Sequence, residues 1–252
     1  MEPQQFLVVD NHSISLAQAL RYLQASGKIQ LLIGDILRQH VIEQELQART
    51  DLDINPALTE QAIIDFRLQN QLTDSKRFQE WLASQGTDRT NFHTQINFGF
   101  KLEKLKATIT QPNLQKYFIE RKLFLDRVVI SRILVAEQEL AEELASQIEE
   151  GASFEQLAKE YSLTDDRLVN GMMGPISRGS LPDILRAAID VAEPGEVVGP
   201  LAIDGRWGLF RVEQFLPASL EQNQLKQVLE NELFEQWLAE KIQKLTVKLQ
   251  VN

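Results

Sequence analysis

The 252-residue chain is predicted to be an α+β protein in which a discontinuous, all-helical domain carries an inserted domain of helices and strands. Two observations predict this class. Apolar residues recur at helical spacing through residues 1–126 and again through 217–252, whereas residues 127–216 contain β-branched runs separated by glycine turns. A single terminal helix cannot bury its apolar stripe alone, so we expect residues 217–252 to complete the helical domain.

The first segment, residues 1–126, is predicted to be almost entirely helical after a short extended run at 6–9. Gly27 and Gly86 are each expected to end a helix, because glycine readily adopts the conformation that helix ends require. Helix starts are predicted from capping residues or proline at a capping box of Ser15 with Gln18, at Thr59, at Asp74 and at Pro112.

The middle segment alternates strand-like and helical patterns. Its predicted elements are, in order, a strand over 128–135, a helix ended by Gly151, a helix over 154–161, a glycine-punctuated stretch at 170–176, a short helix over 184–189, and strands over 197–203 and 207–212. This β-α-α-β-α-β-β order is typical of an α+β domain with antiparallel pairing.

The last segment is predicted to form one long helix. Ser219 and Gln222 are placed as a second capping box, and apolar residues from Leu225 to Leu245 then recur on one face. The periodicity predicts a helix of about 28 residues.

Charge and residue usage exclude several classes of function. Lys and Arg number 26 against 36 Asp and Glu, and this net charge of −10 argues against nucleic acid as a partner, because phosphate binding needs surplus cations. The chain has no cysteine, and its three histidines, His12, His40 and His93, are not spaced as metal ligands. We therefore expect no metal and no cofactor.

The apolar runs of the chain are too short for a membrane span, so no membrane insertion is expected. The first residues lack the charged and apolar regions of a secretory signal. A cytoplasmic location is expected on this ground.

Four motifs in the middle segment resemble those of a known family. Residues 151–162 are similar to its G-x-x-F-x-x-L-A-x-x-Y-S helix pair, and residues 131–135 match its opening strand. Residues 171–174 resemble its G-G-x-L-G segment, and residues 193–200 resemble its x-x-G-E-V-x-x-P turn. The chain thus resembles the SurA/PrsA-type, PpiC-like parvulin family of peptidyl-prolyl isomerases and chaperones.

The resemblance implies a domain organisation and a function. Residues 127–216 would form a parvulin-like rotamase domain, and residues 1–126 with 217–252 a SurA-like helical chaperone domain. The expected partners are unfolded or precursor polypeptides, with a secretion or peptide-maturation apparatus as a further partner.

The polar centre of the parvulin pattern is replaced in this chain. Arg132 and Gly208 stand where the resemblance implies histidines, Met172 where it implies Asp or Cys, and Ile203 where it implies Thr or Ser. No catalytic residue is therefore predicted, and weak or absent isomerase activity is expected.

An apolar groove is expected to survive these replacements. Its predicted substrate-binding residues are Arg132, Met172, Met173, Leu181, Ile184, Leu185, Ile203 and Trp207. Arg132 either holds a peptide oxygen or pairs with a neighbouring acid. Strand alternation places one of Trp207 and Phe210 in the core, and Asp165-Asp166 is interpreted as a solvated turn.

The leading hypothesis is a chaperone-like, polypeptide-binding protein with little or no isomerase activity. The first alternative is an active prolyl isomerase with a histidine-free apolar pocket, which requires that pocket to be open. The second alternative is a structural adaptor or homodimer, which requires the apolar stripe from Leu225 to Leu245 to face outward.

Overall fold

The computed structural model describes residues 5–248 and divides them into two compact units. The first unit contains the described residues up to Leu114 together with those from Glu230, and the second is Gln115–Leu229. The α+β class and the insertion of a mixed unit into a discontinuous helical one are confirmed.

The helices, in chain order, are α1 (Leu16–Ala25), α2 (Ile29–Ala48), α3 (Pro56–Gln69), α4 (Ser75–Ser84), α5 (Arg89–Leu125), α6 (Gln138–Glu149), α7 (Phe154–Tyr161), α8 (Asp183–Ile189) and α9 (Asn223–Gln243). The strands are β1 (Gln5–Val9), β2 (His12–Ser15), β3 (Arg127–Val135), β4 (Met172–Ser177), β5 (Val197–Ile203) and β6 (Arg206–Leu216). No helix within residues 5–248 is both long and apolar enough to span a membrane.

The first unit is not entirely helical, because it begins with a β-hairpin. Strands β1 and β2 pair antiparallel across a turn at Asp10 and Asn11, whose φ angles are 47° and 67°. Asp and Asn tolerate the positive φ angles that tight hairpin turns require. The predicted extended run at 6–9 is therefore one strand of a pair.

The predicted helix caps at Ser15 and Asp74 are confirmed, whereas those at Thr59 and Ser219 are wrong. The Ser15 hydroxyl accepts from the backbone N–H of Gln18 at 3.3 Å, and Asp74 accepts from that of Arg77 at 2.9 Å. Helix α3, however, is capped by Asn55, whose side chain accepts from the Ala57 N–H at 3.0 Å. Thr59 lies inside α3, because Pro56 occupies the first helical turn, where its missing N–H costs nothing. Helix α9 begins only at Asn223, and the Ser219 hydroxyl accepts from the Glu221 N–H at 3.2 Å instead of the Gln222 N–H.

Helix α5 runs through Pro112, where a new helix start was predicted. An interior proline removes one backbone hydrogen bond and costs about 3 kcal/mol. Buried side chains on both sides of it, Leu105 at 0% and Phe118 at 7% exposure, supply packing that offsets this cost.

Two apolar clusters form the core of the first unit. In one cluster, Phe234 and Leu238 of α9 pack with Val41 of α2 and Leu105 of α5, which completes the helical unit as predicted. The other cluster joins α3, α4 and α5.

Helix α9 has 21 residues. Its apolar stripe packs inward in the first of these clusters, so the outward-facing stripe that the adaptor alternative required is not observed.

The second unit contains a four-stranded antiparallel sheet of order β4-β3-β6-β5. Side chains of β3 alternate between the faces, with Val128, Ile130 and Leu134 on one and Ile133 and Val135 on the other. Helix α8 packs on the first face and helices α6 and α7 on the second. The sheet is thus buried on both sides.

A buried carboxylate, that of Asp126, joins three strand ends at one end of this sheet. Asp126, immediately before β3, accepts from the Ala218 N–H at 2.8 Å just after β6, and it also pairs with Lys122. Arg178, which follows β4, lies 3.4 Å from the same carboxylate. These bonds connect the segment before β3 with the segments that follow β4 and β6.

Candidate functional site

The α8 side of the sheet contains an open pocket of about 570 Å³. Its apolar wall comes from β3, β4, α8 and β6 and includes Leu134, Met173, Ile176, Leu181, Leu185 and Phe210. The charged residues among those lining it are Arg132, Asp204 and Arg206. The pocket thus combines a large apolar surface with a small number of charged groups, as ligand sites commonly do.

Most of the predicted binding residues meet in this pocket. Those that line it are Arg132, Met173, Leu181, Leu185 and Ile203. Met172 and Ile184 are each about half exposed and do not line it. Trp207 packs with the cluster on the opposite face of the sheet, because alternation along β6 places it on the same face as Leu209.

The position that the resemblance assigns to a second histidine is sterically closed. Gly208 lies on the pocket face of β6, two residues before Phe210. A Cβ atom at Gly208 would lie 2.5 Å from the Phe210 ring and 2.9 Å from Leu134. The aromatic ring of Phe210 therefore fills the space into which a side chain at position 208 would extend.

Arg132, at the position of the first histidine, pairs with a neighbouring acid. Its Nε donates to Asp166 Oδ2 at 2.7 Å, and the other carboxylate oxygen of Asp166 accepts from Thr164 Oγ1 at 2.6 Å. The Asp166 side chain is only 15% exposed. The interpretation of Asp165-Asp166 as a solvated turn is therefore wrong for Asp166, although Asp165 is exposed.

The chain after α7 places this acid beside Arg132. Pairing of β3 with β4 ends at Ser131, which lies opposite Met172, the first residue of β4. Leu134 therefore has no partner in β4, and its backbone groups on that side bond elsewhere. The Leu134 N–H donates to Ser162 Oγ at 3.2 Å, and the Leu134 carbonyl accepts from the Leu163 N–H at 2.8 Å. The sequence signal for this arrangement is the alternation of polar residues that begins at the Ser162 of the Y-S motif and continues with Thr164 and Asp166.

The pairing leaves much of the Arg132 guanidinium unused. Only its Nε is bonded, and its two terminal nitrogens have no acceptor among residues 5–248. Arg206, on the pocket rim, forms no ion pair with any described residue. The pocket can therefore offer several N–H donors to a bound oxygen atom.

The opposite face of the sheet carries a second arginine, Arg211, which bonds two carboxylates through two of its nitrogens. Arg211 Nε donates to Glu213 at 2.9 Å, and its Nη2 donates to Glu155 at 2.7 Å. Its guanidinium also lies 4.9 Å from the centre of the Phe154 ring. Hydrogen bonds from Arg211, from the backbone and from Ser153 lower the pKa of Glu155 from 4.5 to about 2.

The three histidines lie away from the pocket. His12 and His40 are exposed, and His93 lies 3.3 Å from Glu60 in the helical unit. Within residues 5–248 no three His, Asp or Glu side chains are arranged to hold a metal ion.

The fold and the pocket together define the class of the inserted unit. The family model of the PPIC-type PPIase domain matches residues 109–228. These residues therefore form a parvulin domain of the PPIC type.

Comparison with whole proteins extends the likeness to the helical unit. The Foldase protein PrsA 2 of Listeria innocua is 25% identical over 177 residues, which cover 68% of this chain and 60% of that protein. Chaperone SurA of Sodalis glossinidius is 27% identical over 206 residues, which cover 77% and 43% of the two chains. The chain thus spans about 60% of the length of the PrsA relative.

Among solved structures, the peptidylprolyl isomerase PrsA from Bacillus cereus is 17% identical with a TM-score of 0.43. The match covers 100% of this chain and 96% of that one.

Proposed function

We propose that this protein is a chaperone or foldase of the PrsA/SurA type, which binds unfolded or precursor polypeptides in extended form. The PPIC-type domain and the likeness to a foldase and a chaperone support this proposal. The observation that carries it is the pocket itself, which is open and apolar but has no histidine or other acid–base pair at its centre. Such a pocket is suited to binding an apolar side chain of an extended polypeptide.

We propose in addition that any prolyl isomerase activity is weak. Rotation about the imide bond faces a barrier of about 18–20 kcal/mol that comes from amide resonance. An apolar pocket lowers this barrier by excluding water, but preorganised polar groups usually supply the larger effect. Phe210 occupies one position of the polar centre, and Arg132 is bonded to Asp166 at another.

The second candidate function is an active prolyl isomerase with a histidine-free pocket. The open pocket supports it, since Leu181 and Ile203 line the cavity as this alternative required. Ile184, the third residue assigned to hold the proline ring, lies outside. Involvement of a secretion or peptide-maturation apparatus and a cytoplasmic location stay predictions.

Two assays separate these functions. We expect the full chain to suppress the aggregation of a chemically unfolded model protein at near-stoichiometric ratio. In a protease-coupled assay with a proline-containing peptide, we expect a rate close to that of the uncatalysed reaction. Absence of suppression would reject the chaperone proposal, and robust turnover would favour the isomerase.

A further inference from the structure

The orientation of Arg132 determines which ligand groups the pocket can bind. The side chain is anchored at Nε by Asp166, and its backbone N–H donates to the Gly171 carbonyl at 2.9 Å. Arg132 itself lines the pocket with 26% of its side chain exposed, and its two terminal nitrogens remain without acceptors among residues 5–248. The free edge of the guanidinium is thus available to an occupant of the pocket.

We infer that Arg132 donates hydrogen bonds to the carbonyl oxygen of the residue that precedes a bound proline, and that this contact holds the imide bond planar. The inference rests on the proposed function, since it assumes that extended polypeptide enters the pocket. In this role Arg132 is a binding residue that opposes isomerisation.

Amide resonance gives the sign of this effect. The C–N bond has partial double-bond character because nitrogen donates electron density towards the carbonyl oxygen. A cationic donor at that oxygen stabilises the charge-separated form, which has the stronger C–N double bond. Rotation removes this conjugation, so the donor stabilises the planar ground state more than the twisted transition state. Arg132 therefore raises the barrier while it tightens binding.

The surroundings of Arg132 strengthen this contact. The apolar side chains of Leu134, Leu181 and Phe210 line the same cavity and reduce the local dielectric constant, which increases the energy of an ionic hydrogen bond. Asp166 and Thr164 are positioning residues, because their mutual bond fixes the carboxylate that orients the guanidinium. A planar guanidinium held at one nitrogen loses little further freedom when it binds a ligand.

A guanidinium also makes the site insensitive to pH in the range where histidine titrates. Arginine stays protonated, whereas an unperturbed histidine changes charge between about pH 5 and 8. The charged or titratable groups at Arg132 are Asp166 beside it and Asp204 and Arg206 on the pocket rim. No histidine is among them, so we expect peptide affinity to be unchanged across this range.

The test compares the 252-residue wild-type chain with two variants, Arg132→Gln and Arg167→Gln. Arg167 is an exposed arginine whose side chain bonds no described residue. The probe is a short peptide with one proline between alanine and phenylalanine. Affinity is measured by fluorescence anisotropy, and cis–trans exchange of the bound peptide by NMR exchange spectroscopy. We expect Arg132→Gln to bind roughly tenfold more weakly, as for loss of one hydrogen bond to a charged group. Its bound peptide should exchange several-fold faster than in wild type.

The positioning role of Asp166 has its own matched pair of variants. Asp166→Asn should show the same split, with weaker binding and faster exchange, whereas Asp165→Asn should match wild type because Asp165 is exposed. Reduced thermal stability of Asp166→Asn with no change in either peptide measurement would overturn this role.

Slower or equal exchange in Arg132→Gln would overturn the inference, as would affinity that follows a histidine-like titration. If the wild type suppresses aggregation but does not bind the proline peptide, the inference fails and the proposed function stands. If the wild type neither suppresses aggregation nor binds the peptide, both fail.

Discussion

The two faces of the parvulin sheet each carry an arginine, and the two arginines are used differently. Arg132 lies on the pocket face of β3, and Arg211 lies on the opposite face of β6, where it is paired in register with Ser131. Their side chains are exposed to similar extents, 26% and 20%. Arg211 bonds two carboxylates and stacks on an aromatic ring, whereas Arg132 bonds one carboxylate through a single nitrogen.

The difference shows that neither residue type nor burial decides the role of a charged side chain in this domain. Ser131 Oγ also donates to Glu213 at 2.6 Å, so the Arg211 network joins β3, β6 and α7 through Glu155. Arg211 is held by two carboxylates on two elements, which stabilises the fold, whereas Arg132 is held by one carboxylate of the described residues and keeps both terminal nitrogens free for a ligand. The proposed ligand-binding role of Arg132 rests on this difference in the number of carboxylates that reach each guanidinium.

The largest expected effect comes from removing Arg211, which is bonded to two carboxylates. In Arg211→Leu, Glu213 and Glu155 lose their shared cation, and we expect a loss of about 3 kcal/mol in the free energy of unfolding. This value is at the low end for partly buried pairs because the Glu155 side chain is 42% exposed. Urea unfolding monitored by circular dichroism measures it. Arg132→Gln leaves one carboxylate without its cation instead of two, so it should cost less than Arg211→Leu, and equal losses in both variants would contradict the comparison.

A smaller effect is expected on the pocket side from Gly208→Ala. The added Cβ meets the Phe210 ring and Leu134, and such overpacking costs about 2 kcal/mol. Displacement of the ring should also change the affinity for the proline peptide. The matched control is Gly99→Ala in α5, where a Cβ meets open space and should increase stability by up to about 1 kcal/mol. A Gly208→Ala variant with the same free energy of unfolding as wild type would show that the space at this position is not filled.

The smallest effect concerns the pH dependence of the Arg211 network. The pKa of Glu155 is about 2 in the folded protein against 4.5 ordinarily, because Arg211, a backbone N–H and Ser153 donate to the carboxylate. A lowered folded pKa contributes stability that is complete above pH 4.5 and is lost as the pH falls towards 2. Unfolding free energies of wild type and Glu155→Gln, measured across this window, should converge as the pH falls. A constant difference would exclude the linkage.

Much of the secondary structure follows from local pattern. Helix α7 and strand β5 have the predicted bounds, Phe154–Tyr161 and Val197–Ile203. The caps at Ser15 and Asp74 were also predicted correctly. Each of these features depends on residues a few positions apart, so the sequence pattern contains the information directly.

The errors arose where distant packing outweighed a local rule. Pro112 is a strong local helix breaker, yet α5 continues because buried residues flank it on both sides. Trp207 lies in the sequence between two residues that line the pocket, Arg206 and Phe210. Its side chain nevertheless points to the opposite face of the sheet, where it packs with the cluster beneath α6 and α7. Asp166 follows a helix as solvated acids often do, and only the path of the chain beside β3 buries it.

The sequence by itself determined the chemistry that this pocket lacks, because the identities of Arg132 and Gly208 exclude histidine from both positions whatever the packing. The tertiary structure decided what replaces it. The Arg132–Asp166 bond spans 34 residues, and the Phe210 ring fills the space beside Gly208 through the shared face of a strand. Residue type limits which bonds are possible, but the number of acceptors that reach a side chain depends on segments that only folding brings together.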